Sequence, residues 1–285
     1  MANYKSKTAG IRGASGLVGS AVANSLKEEG WIVTNIGREF SANDLKGLDV
    51  VINLAGRSIN CRWSSTQKRE IIKSRIQTTS KLVKAIEECG SDAPTLLISA
   101  SATGIYPSSY KASPDNAYNE ETTERGVGFL AETCIAWERE ALKASKFTRV
   151  AIARLGVVIS TGGGALPKLA LPFRMGVSVR FGKGTQPLSW ISLYDVTEAF
   201  KFIIKETSLE GPVNLVAPQI IDMNGVNSTL SEIFKTKISI NLPESVLKIA
   251  MGGSHRLVTE GQNVKPEKLL ARGFLFKNNS FQTSI

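Results

Sequence analysis

From Thr8 to Gly30 the chain reads TAGIRGASGLVGSAVANSLKEEG, and the placement of every later segment depends on how this stretch is read. Gly13, Gly16 and Gly19 fall at even spacing between a short apolar stretch and an amphipathic run. A phosphate held at a helix N-terminus needs bare backbone N–H groups with no Cβ in the way, and the last glycine lets helix and strand pack closely. The spacing is G-x-x-G-x-x-G rather than G-x-G-x-x-G, so by itself it serves a tight strand-to-helix turn as well as a phosphate site. Context must decide: a strand before, a helix after, and a second strand ending at a residue that reads a ribose.

The context is present. Lys7 to Gly13 is a thinly written strand, with only Ala9 and Ile11 as apolar alternates and Arg12 directly ahead of the glycines. Ser15 to Glu29 places Leu17, Val18, Val22 and Leu26 at helical spacing, and Gly30 ends the run as a C-terminal cap does. WIVTNIGR, from Trp31, is a β-branched run ending at Gly37 and Arg38. A NAD-specific site places an acid here to accept from the ribose 2′-OH, whereas an arginine suits a 2′-phosphate. The expected cofactor is therefore NADP(H), with a plain surface arginine as the equal alternative for Arg38.

Alternation then continues. DVVINLAG, from Asp49 to Gly56, is the buried run of a parallel sheet, and a long helix follows from about Ser64 to Glu88 with Ile71, Ile72, Ile76, Leu82, Val83 and Ile86 on one stripe. TLLISASATG from Thr95 reads as an inner strand, Gly128 to Ala144 as a helix, and RVAIARLGVVIS from Arg149 as a further strand. The expected fold is α/β, a Rossmann-type doubly wound parallel sheet with a small C-terminal α/β substrate lobe. The core takes residues 1–160, with 190–218 returning to it; residues 161–189, rich in Gly and Pro and read as loops around one short helix, join 219–285 in the smaller lobe.

Composition narrows the function classes. A chain of 285 residues with 42% hydrophobic residues supports a well-filled core, and no window has the apolar length of a membrane span. Cys61, Cys89 and Cys134 are scattered with no C-x-x-C pair, which points to neither a disulfide framework nor a metal site, and fits a reducing, cytoplasmic setting. An organelle form, in which MANYKSK follows a removed transit peptide, is the alternative. The net charge of +10 implies attraction to an anion. Between Arg57 and Lys84 eight basic residues face one acid, Glu70; most read as a solvated helix face, and with Trp63 the lone aromatic there, nucleic acid is disfavoured against a phosphate-rich cofactor. The expected partner is a small-molecule substrate, and a homodimer stays open.

Taken together, GASGLVG, VINLAG with CRW and KSRI, SASATGIY, FLAETCIAWE, RLGVVIS with GGAL, SWISLYD, NLVAP and EGQNVKPEKLLARGFLF resemble the epimerase-family branch of the extended/atypical short-chain dehydrogenase/reductases, from about Thr8 to Phe276. The resemblance implies an NADP(H)-binding core; members are widely labelled nucleoside-diphosphate-sugar epimerases, and some relatives are linked to cell or organelle division. It places Gly13, Ser15, Gly16, Leu17, Val18 and Gly19 in the phosphate turn and Arg38 at the 2′-phosphate. It sets Asn53, Leu54, Ala55 and Gly56 along the adenosine, with Ser99 and Arg75 also at the cofactor. Ser101 matches the serine that hydrogen-bonds the reacting carbonyl.

Departures from that pattern bear on chemistry. The usual proton donor is a Tyr four residues before a Lys, yet no Tyr here has a Lys four residues on; Leu130 and Cys134 stand near those places. Ser192 stands where relatives have His, and the stretch from Arg38 to Asp49 is short. His255, the sole histidine, reads as an exposed loop residue without a nucleophile elbow. Asp195 reads as a helix N-terminal charge and Glu138 as structural, which leaves Ser101 with Tyr106 as the catalytic candidates. Two readings stay open: an NADP(H)-dependent oxidoreductase or epimerase, and a non-catalytic NADP(H)-sensing or scaffold protein in division or redox control.

Overall fold

A computed structural model describes residues 7–285; the leading MANYKS, on which the transit-peptide alternative turns, lies outside the described residues. Thr8–Arg12 forms β1 despite its thin pattern. It is a central strand flanked on both sides, with Ala9 and Ile11 fully buried on one face. Gly10 faces the other way and leaves room for Leu48 and Ile36, whose tips come within 2.6 and 2.7 Å of where a Cβ would stand. The chain continues through α1 (Leu17–Glu28), β2 (Ile32–Ile36), β3 (Val50–Asn53), α2 (Ser65–Glu88), β4 (Leu96–Ala102), α3 (Phe129–Leu142) and β5 (Arg149–Leu155). The α2 start is set by Ser64, whose side chain accepts from the Gln67 N–H at 3.2 Å.

Beyond β5 follow β6 (Val157–Ile159), α4 (Leu166–Arg174), β7 (Val177–Phe181), β8 (Pro187–Leu188), β9 (Trp190–Ser192), α5 (Leu193–Lys205) and β10 (Gly211–Leu215). Then come β11 (Ile221–Asp222), α6 (Met223–Phe234), β12 (Ile238–Leu242), α7 (Glu244–Met251), α8 (Arg256–Thr259) and α9 (Glu267–Ala271). The main sheet is parallel, in the order β10-β5-β4-β3-β1-β2. Strand order reverses at β1, with β2 on one side and β3 on the other, and the carboxyl edge of such a switch point is where α/β sheets bind ligands. The stretch between β2 and β3, too short for a helix and strand, makes a single 3-10 turn at Ala42–Asp44.

Each sheet face has its own core. Val22 and Leu26 of α1 pack with Val196, Phe200 and Ile203 of α5 on one face, and Leu82, Val83 and Ile86 of α2 with Ala141 of α3 on the other. RVAIARLGVVIS is two strands rather than one. At Gly156 a Cβ would fall 2.7 Å from the Ser189 carbonyl oxygen, and this close approach lets β6 leave the sheet and pair with β9. The 161–189 segment holds a strand that its Gly and Pro content hides: β7 (VSVRF) pairs in parallel with β12. Within the C-terminal stretch, Leu269, Phe274 and Phe276 join the α1/α5 core. No helix among the described residues is long and apolar enough to cross a membrane.

Candidate cofactor groove

The glycine turn leads from the end of β1 into α1 and packs against the end of β3. Gly13 has φ +83°, and a Cβ on it would lie 2.9 Å from the Leu54 carbonyl carbon. At buried Gly19 a Cβ would fall 2.1 Å from the Gly13 oxygen, so the first turn of α1 rests directly on the loop. Gly16 differs: it is exposed, with only the Gly13 oxygen nearby, at 3.3 Å. The helix α1 has no side-chain cap and no acid in its first turn. Its first N–H groups therefore stay free for an anion, and the absence of a Cβ at Gly16 keeps the approach open. These residues fit a dinucleotide phosphate.

A cavity of about 380 Å³ opens beside the turn. Gly13, Gly16, Leu17, Val18 and Gly19 contribute from the turn and α1, and Leu54, Gly56 and Arg75 from the β3 end and α2. Leu130, Thr133, Cys134 and Trp137 enter from α3, with Ser101, Leu155 and Val158 beyond. The four α3 residues recur at i, i+3, i+4 and i+7, one helical face turned to the cavity. Trp137 is oriented by donating to Thr79 Oγ1 at 3.0 Å. Arg75 donates to the carbonyls of Arg57 (3.0 Å) and Ile71 (3.2 Å), with its guanidinium 5.1 Å from the Trp137 ring centroid. It forms no ion pair among the described residues.

At the other end, buried Ser101 donates to Glu138 Oε1 at 2.6 Å. Arg154 grips the same carboxylate with Nε and Nη2, both at 2.8 Å, and its Nη1 donates to the Tyr106 hydroxyl at 2.7 Å. Tyr106 in turn lies 2.9 Å from both Asn214 Oδ1 and the Asn119 carbonyl, either of which accepts its proton. Burial alone would lower the Arg154 pKa, but the Glu138 hydrogen bonds and charge outweigh it and hold it raised. Burial raises the Tyr106 phenol, against the pull of Arg154. Burial, reinforced by Glu138, pushes the Cys134 thiol up to about 11. A hydroxyl has one proton to give, so with Ser101 bonded to Glu138 its oxygen faces the cavity as an acceptor.

The structure thus brings Ser101, Arg75, Gly13, Gly16, Leu17, Val18, Gly19, Leu54 and Gly56 to one cavity. It places Tyr106 behind Arg154, 1% exposed and away from the cavity. Asn53 and Ser99 lie inside the sheet; Asn53 Nδ2 donates to Thr79 Oγ1 at 3.0 Å, bracing the residue that holds Trp137. Ser15 is exposed on the turn, Ala55 half-buried beside Gly13, and Arg38 exposed past β2. Sequence reasoning named Leu130 and Cys134 but missed Thr133 and Trp137 on the same α3 face; helical spacing in FLAETCIAWE carries the signal. His255 is buried rather than exposed, because its Nδ1 pairs with the Gly252 carbonyl at 2.7 Å within a tight turn. Ser192 caps α5, accepting from the Asp195 N–H at 2.9 Å, while buried Asp195 accepts from the Lys277 and Asn278 N–H groups at 2.8 and 3.0 Å.

A parallel sheet with its switch point at a glycine-rich turn and an apolar groove defines a Rossmann-type dinucleotide-binding protein. The sequence over residues 9–216 matches the NAD dependent epimerase/dehydratase family, and 242–283 a domain of unknown function, DUF1731. The chain belongs to the NAD dependent epimerase/dehydratase family. Epimerase family proteins of Staphylococcus epidermidis and Staphylococcus aureus are each 33% identical to it, over 96% of both chains. The crystal structure of human epimerase family protein SDR39U1 (isoform 2) with NADPH superposes with a TM-score of 0.89 at 27% identity, covering 97% of each chain. A nucleoside-diphosphate sugar epimerase of Corynebacterium glutamicum gives 0.78 at 29%, covering 98% of this chain and 57% of that one. MoeE5 with UDP-glucose and NAD, at 18% identity and a TM-score of 0.74, shares the fold.

Proposed function

We propose that the chain binds NADP(H) along this groove and acts as an oxidoreductase or epimerase on a small carbonyl or nucleotide-sugar substrate without the Tyr/Lys pair. The observation that carries the reading is Arg75, a guanidinium without an acid partner on the wall of the same cavity as Ser101 and the glycine turn. The nicotinamide, when bound, supplies or accepts the hydride. Gly13, Gly16 and the first turn of α1 hold the pyrophosphate, Leu17 and Leu54 beside them exclude water there, and Trp137 does so from the α3 wall. Charge developing on a substrate oxygen is met by Arg75, a fixed cation in a partly desolvated groove. Ser101 orients the substrate as an acceptor, and the proton comes from water. Residues 161–189 and the part of 219–285 before Leu269 supply the substrate-side lobe, while Leu269, Phe274 and Phe276 pack back on the α1/α5 core.

The reading is tested by NADPH oxidation across a panel of carbonyls and by epimer analysis of nucleotide sugars incubated with protein and cofactor. Arg75→Met should lower kcat/KM by about 100-fold, the scale of losing one fixed charge-stabilising group, and Ser101→Ala should act mainly on KM. Turnover unchanged in Arg75→Met would remove Arg75 from the chemistry. A second reading, a cofactor-sensing or scaffold protein, is favoured by one observation, that the Ser101 proton is committed to Glu138. On that reading NADPH binds and no member of the panel turns over.

A further inference from the structure

The strand β1 ends on Arg12, which is 7% exposed and sits beside Gly13. Its guanidinium lies 4.5 Å from the Phe40 ring centroid, Nη1 donates to the Gly37 carbonyl at 3.0 Å, and Nε is buried with no partner among the described residues. It forms no ion pair among those residues, and the six preceding them contain no acid. Burial depresses its pKa, with Glu39 the one charge acting the other way. A buried cation with a free donor and no counter-charge is unfavourable unless a ligand completes it. In register Arg12 stands opposite Ile36 of β2 and Asn53 of β3, at the carboxyl edge between the phosphate turn and the end of β2, and the residue it bonds, Gly37, precedes Arg38.

We propose that Arg12 is the specificity-determining residue for the ribose 2′-phosphate, with exposed Arg38 a lesser, outer contact. The assignment rests on the NADP(H) reading and deepens it. A phosphomonoester dianion supplies the missing charge and accepts from Nη2, which has no partner among the described residues and is not enclosed as Nε is, and the Phe40 ring keeps the guanidinium plane in place beforehand. A 2′-hydroxyl cannot neutralise the cation. Arg12 therefore separates the two cofactors by leaving NAD(H) with an uncompensated charge, not by gripping the rest of the dinucleotide.

The test uses the full chain and compares 2′,5′-ADP with 5′-ADP, and NADPH with NADH, by calorimetric titration, with thermal melting of the ligand-free protein alongside. Arg12→Met should weaken 2′,5′-ADP and NADPH by about 10- to 100-fold, the range of one charge-assisted hydrogen bond, while leaving 5′-ADP and NADH within a few-fold. Its ligand-free melting temperature should be equal or higher, because an unpaired buried charge is gone. Arg38→Met should cost less than Arg12→Met. Should Arg12→Met fold poorly, Arg12→Gln carries the same expectation. Unchanged 2′,5′-ADP binding in the variant, or equal losses for all four ligands, would overturn the assignment of Arg12 alone. A wild type that binds 2′,5′-ADP no better than 5′-ADP would instead overturn the NADP(H) reading beneath it.

Discussion

The Glu138–Arg154 pair shows why single residues at this site resist reading from composition. Both are nearly inaccessible, at 7% and 1% side-chain exposure, and the pair is satisfied by two parallel hydrogen bonds plus Ser101 and Tyr106. Removing one charge leaves the other buried without its partner, so Glu138→Gln is expected to destabilise the fold by about 3–5 kcal/mol in urea denaturation. A loss under about 1 kcal/mol would mean the network is not what positions Ser101. Cys134 makes a second, chemical prediction. Its thiol pKa is raised, so at pH 8 it stays protonated. A thiol reagent should modify half-buried Cys61 and leave Cys134 untouched in the native protein, and labelling of Cys134 at a free-thiol rate would contradict its surroundings.

At the scale of elements, the glycine turn separates close packing from access. Gly19→Ala sets a Cβ against backbone that has nowhere to go, so it should cost about 1–3 kcal/mol of stability and weaken dinucleotide binding together. Gly16→Ala meets only one atom, at 3.3 Å. It should melt near wild type yet still lose affinity, because the new methyl stands where the phosphate would lie. Equal melting temperatures for Gly19→Ala and wild type would sink this division. The elements themselves were largely legible: the stripe of Ile71, Leu82 and Ile86 gave α2, and Arg38 marked the end of β2. Two strands were not. β7 is masked by flanking Gly and Pro, and β12 carries Ile238 and Ile240 largely exposed, so burial pattern says nothing of its pairing.

Across the whole molecule, distant segments close the core. Asp195 ties Lys277 and Asn278 to the start of α5, and buried Glu120 accepts from the backbone N–H of Asn214 at 2.9 Å and of Lys268 at 3.3 Å. Leu269, Phe274, Phe276 and Phe281 are buried by these returns. Deleting residues 267–285 removes these four side chains and bares the core they cover, a loss of about 1.5–3 kcal/mol for each, which rivals the whole stability of a domain at about 5–15 kcal/mol. The shortened chain should fail to melt cooperatively, and a cooperative transition would show that the ending is an appendage. Such long-range closure is invisible to local periodicity, as is the pairing of Ser101 with Glu138 across β4 and α3. The glycine spacing, in contrast, was readable because its constraint is local.

The most direct test of the account is a titration of the intact protein with NADPH and with NADH, following tryptophan emission, to which Trp137 on the cavity wall contributes. NADPH should bind saturably and at least about tenfold more tightly than NADH, a difference of about 1.4 kcal/mol. Equal affinities, or no saturable binding of either, would contradict it.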